Sequence, residues 1–93
     1  MKITQKEVQV GQIFVCQRAL FMSAEPGGAL TGPSGFLPKG HKVVVVKRPT
    51  KYDGINCIKF SLVDAPHIVS YAYWIDFRED MNLLEKGDND GKT

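Results

Sequence analysis

The sequence shows no long apolar run, no leader-like pattern in its opening residues and no cysteine framework. Its longest apolar stretches, such as YAYWI at 71–75, are four or five residues, against about twenty for a membrane-spanning helix. The opening MKITQKEVQVG has no apolar h-region and no small-residue cleavage site. These absences predict a soluble, cytoplasmic protein with no membrane partner. The two cysteines, Cys16 and Cys57, sit inside the apolar runs IFVCQ and INCIKF. They are expected as small buried hydrophobes in a reducing compartment, with a single bridge between neighbouring strands as the alternative.

Motifs that carry chemistry are also missing. Gly27 to Gly32 fits GxxxxG, but Pro33 stands where a phosphate-binding loop needs lysine, and no helix pattern follows. No CxxC or HxxxH spacing supports a zinc site. The DNDG at 88–91 lacks the alternating ligand spacing of a calcium loop. His41 and His67 stand at expected strand starts, with no local motif to bring Ser34, Ser61, Ser70 or a cysteine beside them. Asp76, Glu79 and Asp80 surround Arg78, which suggests salt pairing or exposure rather than a tuned carboxylate pair. The expectation is a non-enzymatic protein with no catalytic residues, no metal and no cofactor.

What is present fits one small domain, residues 1–93, with an ordinary 43% of hydrophobic residues. The net charge is only +2, but it is unevenly spread. Residues 1–60 carry nine Lys/Arg against three Asp/Glu, a net +6. Residues 61–93 carry three against seven, a net −4. Such a distribution orients a partner, or satisfies itself if basic and acidic strands lie side by side.

The apolar pattern is strand-like. Residues 3–10 alternate imperfectly and read as a lead-in strand or an irregular arm. Residues 12–22, QIFVCQRALFM, read as one strand that is buried on both faces or bent, with Ile13, Val15 and Ala19 on one face and Phe14, Cys16 and Leu20 on the other. The glycine- and proline-rich 22–40 segment follows, a folded loop or ragged hairpin pinned by Leu30 and Phe36. The valine block 41–48 should pair with 55–63 across a turn in which Asp53-Gly54 supplies positive φ, with Pro49 ending the first strand. Residues 67–77, HIVSYAYWIDF, read as one long strand with a bend or bulge. Residues 78–85 suit a helical turn or a closing strand, and 86–93 should fray.

No helix of ordinary length is visible. The order of elements is similar in topology to an SH3-like fold, which implies an all-β small barrel of about five strands with a long Gly/Pro-rich first connection. An OB-like barrel is the rival, but it wants a helix the pattern does not offer.

For function, the expectation is an interaction module that binds a protein partner through the long loop and the aromatic strand. Leu30, Phe36, Leu37, Tyr71, Tyr73 and Trp74 are the candidate contacts, because aromatic anchors dominate interface energy. Strand alternation puts Trp74 opposite Tyr71 and Tyr73, and leaves open which side faces the core. The first alternative is nucleic-acid binding by the basic hairpin, with Lys42, Lys47, Arg48 and Lys51 on phosphates and Tyr52 stacked on a base. The second is a self-associating homo-oligomer or accessory subunit.

Overall fold

The computed structural model describes residues 4–24 and 34–85. The described chain begins with a 3-10 turn at Gln5–Glu7. Thr4 and Glu7 form a capping box, with the Thr4 N–H donating to Glu7 Oε1 at 2.7 Å. Val8 then enters the core, fully buried. The lead-in segment is therefore a capped turn anchored by one valine.

Seven strands and one helix follow: β1 Ile13–Cys16, β2 Leu20–Ser23, β3 Ser34–Leu37, β4 Lys42–Tyr52, β5 Ile55–Leu62, β6 Ala65–Tyr73, α1 Trp74–Asp80 and β7 Met81–Glu85. The strands form one sheet in the order β3-β2-β6-β5-β4-β1-β7, and every pairing is antiparallel. β3 and β7 end the sheet and do not pair with each other. The protein is thus a mixed α/β domain with an open sheet. The expected all-β, five-stranded SH3-like barrel is incorrect in strand number, in closure and in the absence of a helix.

Two local misreadings account for that. The segment 12–22 is two strands, because Gln17–Ala19 break the pleat. β1 joins β4 and β7, whereas β2 joins β3 and β6. The apolar alternation continues in phase across the break, so the two strands read as one. At the other end, the aromatic strand stops at Tyr73 and Trp74 opens α1. Trp74 and Phe77, three residues apart, both enter the core, while Ile75 between them is 65% exposed. Seven residues are two helical turns, too few for the 3.6-residue period to stand out from strand alternation. Residues 78–85 complete this helix and then form the closing strand β7.

The β4–β5 hairpin has the expected turn: Asp53 and Gly54 have φ of 54° and 82°, the paired positive values of a tight two-residue hairpin. Pro49 does not end β4. The strand continues to Tyr52, with register shifts between Val45 and Lys47 and between Lys47 and Thr50. A bulge removes the ladder bond that proline cannot donate. β2 and β3 pair from Leu20↔Leu37 to Ser23↔Ser34, so the 22–40 segment joins the end of β2 to β3. Leu30 lies outside the described residues.

The core gathers Phe14, Leu20, Leu37, Val43, Val45, Ile58, Phe60, Ala72, Trp74 and Phe77. Phe77 is its centre, with ring centroids 5.0 Å from Phe14, 5.9 Å from Phe60 and 6.1 Å from Trp74. Cys16 and Cys57 are buried and unbridged.

Candidate functional site

Register assigns the two faces of the sheet. On the inner face, Val45 opposes Phe60, Phe60 opposes Ser70, and Ile58 opposes Ala72, all buried. α1 packs there through Phe77 and Trp74. The N-terminal turn closes the same side: Val8 joins this core, the Arg48 guanidinium donates to the Gln5 carbonyl at 3.4 Å, and the Asn56 amide donates to Gln5 Oε1 at 3.3 Å. Side chains alternate along a strand, so Lys59 and Tyr71 face the other way.

A single row crosses that outer face: Lys47 on β4, Lys59 on β5, Tyr71 on β6 and Ser23 on β2. Lys47 Nζ lies 5.8 Å from the Tyr52 ring centroid, and Lys59 Nζ lies 5.6 Å from that of Tyr71. The two tyrosine rings meet edge-on at 5.6 Å and 81°. The result is a four-residue unit in which two adjoining rings each carry one cation. Each cation–ring contact contributes about 0.5–1 kcal/mol at an exposed site. Tyr73 lies two residues along β6 on the same face and pairs in register with Cys57. That placement explains why Cys57 is buried yet lies outside the main core cluster. On the sheet's margin, Phe21 and Phe36 pair in register across β2 and β3, with ring centroids 5.4 Å apart. Their neighbours Leu20 and Leu37 are buried in the core, so this phenylalanine pair also belongs to the outer face.

The electrostatics follow the layers. β2 to β6 contain Lys42, Lys47, Arg48, Lys51 and Lys59, and no aspartate or glutamate. The carboxylates of the described residues lie in turns (Glu7, Asp53, Asp64), in α1 (Asp76, Glu79, Asp80) and in β7 (Glu85). The expected side-by-side neutralisation of basic and acidic strands does not occur in the sheet. β1, which has no charged residue, separates β4 from β7. The lysine row contains an unfavourable contact, because Lys47 and Lys59 are direct cross-strand partners. Like charges at such a pair destabilise a sheet.

No protein family, characterised protein or solved structure matches the chain. Any functional reading therefore rests on this surface.

The structure divides the sequence-derived contact residues. Trp74 is 8% exposed and Leu37 2%, and both are core residues unable to anchor a partner. Phe36 is 66% exposed, while Tyr71 and Tyr73 are half-buried on the outer face. From the basic hairpin, Lys47 and Tyr52 join the cation–ring unit. Arg48 is drawn to the N-terminal turn instead. Lys42 and Lys51 are exposed on β4. Sequence reasoning missed Lys59 and Phe21. Lys59 was readable as the polar position opposite Ile58 and Phe60, but its partner Tyr71 is twelve residues away and only the β5–β6 register joins them. His41 and His67 are exposed. Among the described residues, no group of three or more His, Cys, Asp or Glu side chains is gathered to hold a metal ion. No described helix is long and apolar enough to cross a membrane.

Proposed function

We propose that the protein is a non-enzymatic binding module that holds a polyanionic macromolecule against the outer face of its sheet. One observation carries this reading: Lys47 and Lys59 stand side by side on the outer face, and the five adjacent strands β2 to β6 contain no carboxylate. The Lys47–Lys59 contact supports it further. A local conflict that stability alone does not favour is expected at sites kept for binding. The low net charge is no objection, because among the described residues the carboxylates lie in turns, α1 and β7, with Asp53 beside Tyr52 at the hairpin tip, and the field at a surface is set by nearby charges.

The test is retention on immobilised heparin. The wild type should elute well above 0.15 M NaCl, a concentration at which charges beyond about 8 Å are screened. The Lys47→Ala/Lys59→Ala protein should elute at clearly lower salt. The charge-matched control Lys6→Ala/Lys39→Ala should elute close to wild type. Wild type passing unretained, or both double variants weakening equally, would refute the reading.

A protein partner seated on the Phe21–Phe36 pair is the second reading. The large exposure of Phe36 favours it, since an aromatic ring left open at a sheet margin is a typical contact anchor. It predicts that Phe36→Ala removes a captured protein while Lys47→Ala/Lys59→Ala does not.

A further inference from the structure

The surface chemistry narrows the polyanion. We infer that the outer face binds single-stranded nucleic acid, with bases stacked on Tyr71 and Tyr52 and the strand's phosphates neutralised by Lys59 and Lys47. This inference rests on the polyanion-binding reading above and adds a requirement for π-faces. A sulfated glycan or an acidic peptide needs only cations. Here each cation of the row is held over a tyrosine ring, at 5.8 Å for Lys47 on Tyr52 and 5.6 Å for Lys59 on Tyr71. Charge and aromatic surface are thus supplied at the same points.

The arrangement is a ligand-free resting state for stacking. A lysine over these half-buried rings contributes no more than a base stacked on them. An arriving base therefore displaces the ammonium from the ring face, and the flexible four-carbon stem carries it to the neighbouring phosphate. The like-charge strain of the Lys47↔Lys59 pair is relieved in the same step, because phosphate charge enters between them. A duplex offers its bases only edge-on inside the grooves, so it cannot use the rings. The preference must be for single strands. Ring stacking is indifferent to sugar type, so DNA and RNA strands share the chemistry.

The experiment is fluorescence anisotropy of labelled (dT)15, r(U)15 and a 15-base-pair duplex with the full chain. In about 50 mM NaCl, at least one single strand should bind at least tenfold more tightly than the duplex. Two or three phosphate contacts should give a log–log salt slope of about −1.4 to −2.1. Lys47→Ala/Lys59→Ala should flatten the slope by about 1.4. Tyr71→Leu and Tyr52→Leu keep apolar bulk but remove the π-face. Each should weaken oligonucleotide binding by roughly fivefold or more and leave heparin elution unchanged. The two arms separate DNA from RNA, and preference for either supports the inference. Equal or stronger duplex binding, leucine variants with wild-type oligonucleotide affinity, or no anisotropy change in a protein that heparin retains would each overturn it. The last result would leave the polyanion reading standing. Loss of heparin retention as well would remove both.

Discussion

Lys59 shows how one position carries opposing demands. Its register partner on β4 is Lys47, so the pair loses cross-strand energy, while its Nζ gains the Tyr71 ring. Lys59→Glu should therefore change stability by no more than about 1 kcal/mol, because the opposite-charge pair it gains is offset by the Tyr71 cation–ring contact it loses. The same change should lower the salt needed for heparin elution. Chemical denaturation alongside elution checks both, and a loss well above about 1 kcal/mol would contradict this balance. Phe77 represents the other kind of residue. It is fully buried against three aromatic rings. Phe77→Ala should cost about 3–5 kcal/mol, a large fraction of the stability of a domain this small. A urea midpoint close to wild type would contradict its central place. At the hairpin tip, Gly54 has φ +82° with open space around its Cα, so the cost of Gly54→Ala is conformational rather than steric contact. About 1–2 kcal/mol is expected from the left-handed backbone alone, measurable as a fall in Tm.

α1 is an element that tertiary packing creates. Seven residues cannot hold a helix alone, since nucleation is not repaid over so few bonds. It is kept by Trp74 and Phe77 in the core and tied at its C-terminal end by Arg18, whose guanidinium donates to the Glu79 carbonyl at 3.2 Å. A cation at that end also suits the helix dipole. Ile75 faces solvent, so Ile75→Lys should change stability by no more than about 0.5 kcal/mol. A continuing strand would instead put Trp74 and Asp76 on the inner face, where the helix puts Trp74 and Phe77. A large loss on Ile75→Lys would contradict the exposure of Ile75. The strands were more legible. The valine block, its Asp53-Gly54 turn and the return strand are all local: β-branched residues, a turn dipeptide and period-two burial agree with one another. Gln17 and Arg18 interrupt the apolar run, but nothing in QRA announces that β1 and β2 belong to different parts of the sheet.

The whole molecule is a basic sheet with an acidic helix packed on its inner side. Two layers of opposite sign separated by a core behave independently once salt screening shortens their reach to about 8 Å. Glu79→Gln on α1 should accordingly leave heparin elution almost unchanged, although it alters net charge as much as Lys59→Ala does. Shifts equal in size and opposite in sign would mean that net charge rather than surface layout governs retention. The candidate site was legible only in pieces. Lys47 and Tyr52 are close in sequence and were readable as a basic, aromatic hairpin tip. Tyr71 and Lys59 come from other strands, and Trp74, the most conspicuous aromatic, proved to be a core residue.

Local residue chemistry settled the β-rich character, the hairpin turn, the buried cysteines and the uneven charge, because each depends on neighbours within a few positions. Sheet order, the open edges, the change from strand to helix at Trp74 and the grouping of lysines over tyrosines depended on long-range pairing. Register decides which of two faces a side chain takes, and that choice depends on the partner strand as well as on the residue's own.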